Sequence, residues 1–196
     1  ATIAAIPRQI DGLDRVEILI IDDGSTDRTA EVARECGVDH IIRFPQNRGL
    51  GHAFKAGFDN ALRLGADIII NTDGDNQYFG GDIRELVKPI LEGRADLVIG
   101  DRRTSDIGHF GFLKRTLQKL GSRVISRLGG LDIPDVASGF RAYTRETALK
   151  ISMFTDFDHT AEHVVQAGQD NWGVVVVPIR TNPKARESRL FSNVGE

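Results

Sequence analysis

The chain has 196 residues, 40% of them hydrophobic and 27% charged, with a net charge of −3. This is the composition of one ordinary globular domain. It excludes a general nucleic-acid binder, a disulfide framework or cysteine metal site, since Cys36 stands alone, and a membrane-spanning helix, since no apolar run nears the roughly 20 residues required.

No signal peptide is visible, so a cytoplasmic protein is expected. The charge is unevenly spread: residues 101–150 carry ten Lys and Arg against five Asp and Glu, which points to an anionic partner there. Ala1–Ile10 reads as a helix-like piece with no strand before it. A nucleotide-binding sheet normally starts on a strand, so an N-terminal strand absent from this sequence is expected. Val16–Ile21 is the first predicted strand, and Ser25 or Thr26 is placed to cap a helix over Asp27–Cys36 that Gly37 stops. Cys36 reads as a small core residue of that helix. A short strand over His40–Phe44 follows, then a helix opened by Asn47-Arg48-Gly49-Leu50-Gly51 and closed by Gly65. Asp67–Asn71 is a strand, Asp82–Glu92 a helix containing Pro89, and Ala95–Gly100 a strand. Strand and helix thus alternate through the first hundred residues, the pattern of a parallel sheet with covering helices. Beyond Gly100 a basic helix is predicted from about Phe110 to Gly129, with a short extended piece from Ser138, a helix over Thr160–Ala167 and a strand over Trp172–Ile179.

The chemistry concentrates at strand ends. The apolar run Ile68-Ile69-Ile70 ends in Asp73 and Asp75, one residue apart, with Gln77 two residues on. Two carboxylates so close repel unless a cation lies between them, and hard oxygen ligands in a short loop suit Mg²⁺ or Mn²⁺ completed by substrate phosphates. An EF-hand is excluded, because its sixth and twelfth positions would be Tyr78 and Arg84. Asp22-Asp23-Gly24-Ser25-Thr26-Asp27 also joins a strand to a helix. There a carboxylate can accept from a base N–H or ribose hydroxyl, although a cap and turn alone would use the same residue types. Asn47–Gly51 is not a dinucleotide fingerprint, since position 54 is Phe. His159-Thr160-Ala161-Glu162-His163 matches H-x-x-E-H, a zinc hydrolase pattern, but the only following carboxylates, Asp170, Glu187 and Glu196, lie in a short tail.

Taken together, Ile20–Asp27, Asn47–Gly57, Asp73–Tyr78, Gly100–Arg102, Asp135–Tyr143, Thr160–Gly168 and Val177–Phe191 resemble glycosyltransferase family 2, in its polyprenyl-phosphate (dolichyl-phosphate) hexosyl transferase type. The resemblance implies an α/β GT-A-type fold, a mostly parallel sheet flanked by helices. One domain over 1–196 would place donor binding in residues 1–100 and the acceptor side in 101–196. It implies a nucleotide-diphospho-sugar donor of the GDP-mannose or UDP-glucose type, with Asp22, Asp23, Gly24 and Ser25 at base and ribose, and Arg48 and Gly49 beside them. Asp73, Asp75 and Gln77 would hold Mg²⁺ or Mn²⁺, and Asp73, Asp75, Arg102 and Arg189 would carry catalysis. Ser138 and Arg141 fall in the acceptor-side loop. The family's first strand, with its Pro-x-x-Asn-Glu-like end, and the C-terminal transmembrane helices of some members are not in this sequence.

The expected reaction is metal-dependent inverting transfer of a hexose to a polyprenyl phosphate lipid, peripheral on the cytoplasmic face of a membrane. A saccharide hydroxyl as acceptor is the alternative and needs a general base, for which Asp156, Asp158 and Glu162 are the candidates by position. Nucleotidyl transfer and a catalytically dead sugar-nucleotide-binding module are the other readings.

Overall fold

The structure, a computed structural model, describes residues 1–103, 129–152 and 159–183. The basic helix expected from about Phe110, the acids Asp156 and Asp158, and Arg189 lie outside the described residues.

Two sheets carry the fold. β1 (Leu19–Asp22) and β2 (His40–Arg43) form a parallel pair, with Asp22 opposite Arg43 at its end. β3 (Ile68–Asn71), β4 (Leu97–Asp101), β5 (Arg141–Thr144) and β6 (Val174–Pro178) form a four-stranded sheet in the order β3-β5-β4-β6. β4 and β6 are parallel, while β5 runs antiparallel between β3 and β4. The parallel sense expected of the first hundred residues holds, β1 with β2 and β3 with β4, and the larger sheet becomes mixed only where β5 inserts between β3 and β4. Alternation along the chain says nothing of a later strand inserted in the opposite sense, because that pairing depends on long-range register.

Side chains of the larger sheet alternate between two cores with the period of two that strands impose. Ile69, Leu97, Ile99, Tyr143, Val174 and Val176 face one cluster, and Ile68, Ile70, Val98, Ala142, Val175 and Val177 face the other. Phe54 and Phe58 of α3 (Leu50–Arg63), Ala148 of α5 (Arg145–Lys150), and Val164 and Ala167 of α6 (His159–Gln169) cover the first face. Ile83, Leu86 and Val87 of α4 (Ile83–Leu91) cover the second, with Ile10 and Tyr78. α4 runs through Pro89 to Leu91, its lost backbone bond outweighed by the burial of its apolar stripe. α3 also rests on the smaller sheet: a Cβ added at Gly57 would lie 3.5 Å from Ile21 Cγ1.

Three local expectations need correction. Of Ala1–Ile10 only α1 (Thr2–Ala5) is helical, Pro7 falling just beyond it. α2 spans Thr29–Glu35, and it is Asp27, rather than Ser25 or Thr26, whose carboxylate accepts from the Thr29 N–H at 2.9 Å. Cys36 is exposed, because α2 buries Ala30 and Ala33 and the chain leaves that face when the helix ends at Glu35.

The topology places the site. β3, β4 and β6 run the same way, so their C-terminal ends meet at one sheet edge, where antiparallel β5 begins: both Asn71 and Ile99 lie opposite Arg141. Leu97, fully buried at the sheet centre, supports all of this. Leu97→Ala should lower unfolding free energy by about 2–5 kcal/mol, read from the urea midpoint at unchanged m-value.

Candidate donor site at the sheet edge

The predicted site residues fall into two groups. The first gathers where β1 hands over to α2 and the loop before α3 comes alongside. Asp22 is 2% exposed; its Oδ1 accepts from the Ser25 N–H at 2.8 Å and its Oδ2 lies 3.2 Å from Arg43 Nε. Arg43 also donates to the Ser25 carbonyl at 2.8 Å. Asp23 accepts from the backbone N–H groups of Arg48 (2.7 Å) and Gly49 (2.9 Å). The first turn of α3 contains no acidic residue, so Asp23 supplies from another loop the negative charge that a helix N-terminus favours. The Arg48 side chain is exposed and lies over the Phe44 ring at 5.3 Å.

Gly24 joins these loops: with φ +74°, a Cβ there would lie 2.4 Å from the Gln46 carbonyl carbon. Gly37 has the same φ of +74° but open space around it. Gly24→Ala should therefore destabilise by about 1–3 kcal/mol beyond the backbone strain both share, and Gly37→Ala only by that strain, of roughly 1–2 kcal/mol. Parallel denaturant titrations compare them.

The second group lies at the shared edge of β3, β4 and β5. Asp73 is half-buried and Asp75 exposed, its Oδ1 accepting from the Gln77 N–H at 2.9 Å. Burial lifts the Asp73 carboxyl above the usual carboxylate range, and the Asp75 charge adds to the rise, while Arg102 and Tyr78 act against it. Gly139 is set against this carboxylate: a Cβ there would lie 3.3 Å from Asp73 Oδ1. Its N–H donates to Tyr78 Oη at 3.0 Å, and its carbonyl accepts from Asn71 Nδ2 at 2.8 Å. Ser138 beside it is fully buried. Asn76 (φ 62°) and Arg103 (φ 48°), two non-glycine residues in left-handed backbone, lie in the loops after β3 and β4.

Arg102, the first residue after β4, is held by a residue that sequence reasoning missed. Asp135 accepts from Arg102 Nε at 2.7 Å and Nη2 at 2.8 Å. Burial works against the Arg102 charge, but the Asp135 pairing outweighs it and the guanidinium stays firmly cationic. The 33-residue separation hides the pair from any local pattern. Arg43 was also missed; only its register opposite Asp22 brings it in.

Arg141, expected on the acceptor side, is fully buried beneath the loop. It donates to the carbonyls of Ser138 (2.8 Å), Thr160 (2.9 Å) and Val136 (2.5 Å), so its geometry is that of a residue shaping the 136–139 loop. The segment after β6 is tied to the loop that follows β3. Asn182 N–H donates to the Gln77 carbonyl at 2.8 Å, its Nδ2 to the carbonyls of Asn76 (3.0 Å) and Tyr78 (3.2 Å), and Arg180 forks onto Asp82.

Asp73, Asp75 and Gln77 fit a hard divalent cation. They offer oxygen donors only, and the like charges that raise Asp73 are what such an ion neutralises. Two carboxylates and an amide leave positions for phosphate oxygens, and among the described residues no group of three His, Cys, Asp or Glu is arranged to hold a metal alone. That includes the H-x-x-E-H motif. His163 is fully buried, shares a 3.0 Å hydrogen bond with the Tyr143 hydroxyl, and is pushed down to about 2 by burial, with Arg141 and His159 adding. It is neutral in the folded protein, whereas the unfolded chain takes up its proton below about pH 6.5. Stability is therefore full above that pH and falls as pH drops below it, by at most about 1.4 kcal/mol per unit from this group. His163→Gln should flatten that acid limb between pH 4 and 6.5, measured by urea unfolding.

Residues 1–151 match the family profile of glycosyl transferase family 2. The chain belongs to that family. Proteins similar to it include the polyprenol monophosphomannose synthase of Mycolicibacterium smegmatis, 32% identical over 71% of this chain and 55% of that protein. The dolichyl-phosphate hexose transferase of Haloferax volcanii is 31% identical over 97% of this chain and 79% of that protein. The chain thus spans little more than half of the first relative and about four fifths of the second. A crystal structure of Mycobacterium tuberculosis glucosyl-3-phosphoglycerate synthase with Mn²⁺, uridine diphosphate and glucosyl-3-phosphoglycerate matches with a TM-score of 0.69 at 19% identity, over 95% of this chain and 66% of that one. This likeness establishes the GT-A-type fold, and family membership makes the chain a glycosyltransferase. Among the described residues no helix is long and apolar enough to cross a membrane.

Proposed function

We propose that this glycosyltransferase moves a hexose from a nucleotide-diphospho-sugar to a polyprenyl phosphate, with inversion, at a membrane surface. The observation that carries the reading is the convergence of Asp73, Arg102 and the Ser138-Gly139 loop at one sheet edge, where β3, β4 and β5 meet. The likeness to a polyprenol monophosphomannose synthase and a dolichyl-phosphate hexose transferase supports the acceptor class.

In this mechanism an oxygen of the lipid phosphate attacks the sugar anomeric carbon as the bond from that carbon to the diphosphate breaks. The electron pair leaves with the nucleoside diphosphate. The attacking oxygen is already anionic, so no side chain has to remove a proton. Asp73, Asp75 and Gln77 would hold Mg²⁺ or Mn²⁺, which when bound offsets charge on the departing diphosphate. Arg102, cationic and near enough for its charge to act on Asp73, stabilises the same charge, with Arg189 as the second arginine of this role. Asp22, backed by Ser25, and the Asp23–Arg48–Gly49 junction form the base and ribose end. Ser138 and Arg141 shape the acceptor-side loop.

Donor and acceptor are tested together. The protein is incubated with GDP-mannose or UDP-glucose, Mn²⁺, and either a polyprenyl phosphate in vesicles or a free saccharide. Hexosyl-phosphate lipid and released nucleoside diphosphate are expected with the former only; transfer solely to the saccharide refutes the lipid-phosphate acceptor. Asp73→Asn and Asp75→Asn should each cut transfer by about a hundredfold or more. Each should also abolish the Mn²⁺-dependent rise in melting temperature with nucleoside diphosphate, and chelation of the metal should do the same to wild type.

A further inference from the structure

Arg102 is held through both its side chain and its backbone by one carboxylate. The Arg102 and Asp135 side chains are only 11% and 6% exposed, and Asp135 receives the Nε and Nη2 edge of the guanidinium as well as the Arg102 backbone N–H at 3.3 Å. A guanidinium has five N–H donors in a rigid plane. The fork onto Asp135 takes two of them and fixes the plane, leaving three on the remaining edges, and the charge acts on Asp73 and Tyr78.

Asp135 is itself immobilised. Its neighbours Ile133 and Val136 are buried in the core. Its carbonyl accepts from the Ser138 N–H at 3.3 Å, and Arg141 clamps the carbonyls of Val136 and Ser138. The chain of contacts runs from a buried arginine, through a short loop, to one carboxylate and then to the arginine beside Asp73. A surface ion pair would need none of that support.

We propose that Asp135 is a positioning residue for donor turnover: it holds Arg102 in the one orientation that presents its free N–H groups to the donor's diphosphate. This rests on the transferase reading above. A long arginine left to sample its rotamers would meet the diphosphate only part of the time, and small misplacement of an aligned charge is costly to turnover.

The test is a mutant cycle read on two ligands. Asp135→Asn keeps the shape and one acceptor but removes the charge and the fork. With Mn²⁺ present it should weaken UDP or GDP binding and lower kcat by about tenfold to a hundredfold, while binding of the matching nucleoside is unchanged. In an Arg102→Ala background, Asp135→Asn should add no further loss. A fall in nucleoside binding equal to that for the diphosphate, or an undiminished further loss in the Arg102→Ala background, would overturn the proposal, since both mark a merely structural role. Should Asp135→Asn not fold, Asp135→Glu keeps the charge but displaces the fork; it should lower the diphosphate-to-nucleoside affinity ratio, and an unchanged ratio refutes the idea. Wild-type protein that binds no nucleoside diphosphate sinks the transferase reading and this proposal with it. Wild type that binds normally alongside an Asp135→Asn variant indistinguishable from it sinks this proposal alone.

Discussion

A carboxylate held half out of water next to a second carboxylate is an unfavourable arrangement, and the sheet edge is organised around it. Asp73 feels its own burial and the charge of Asp75, so the edge needs positive charge close by. Arg102 supplies part of it from the end of β4, the parallel strand on the other side of β5. That cation in turn creates a desolvation problem, which Asp135 answers with a fork of hydrogen bonds. Each charge is explained by the one before it, and the proposed diphosphate with its cation would complete the series.

The architecture makes this possible because three strands finish at the same place. β3 delivers Asp73, β4 delivers Arg102, and β6 delivers the Arg180–Asn182 strap, while antiparallel β5 starts there and contributes the loop before it. The glycine of that loop is used for closeness: at position 139 a side chain would press on Asp73. α3 ties the smaller sheet to the larger one, with its N-terminus answered by Asp23, Gly57 set against Ile21, and Phe54 and Phe58 packed on the larger sheet.

Much of this was readable in residue order alone. Apolar runs ending in Asp22 and Asp73 mark strand ends with chemistry on them, and the unbroken apolar runs of β4 (Leu97-Val98-Ile99) and β6 (Val174–Val177) fit a sheet covered on both faces. What could not be read depends on contacts between distant segments. Nothing local in Arg141-Ala142-Tyr143 announces an antiparallel strand between two parallel ones. Arg141 itself looks like a surface residue until three carbonyls are found around it. Asp135 opens one of the segments that carry the family resemblance, but its pairing with Arg102 shows only in the fold. Cys36 continues the helical pattern in sequence, but the helix ends at Glu35 and the thiol is exposed.

The strap that pairs residues 180–182 with 76–79 bears on how such domains can be recombined. Asn182 reads the carbonyls of the carboxylate loop directly, and Arg180 is locked to Asp82 just beyond it. The two segments lie about a hundred residues apart in the chain yet form one mechanical unit. A chimera that exchanged either one singly with a related enzyme would set a foreign backbone against a partner shaped for the original, so the two must be inherited as a pair.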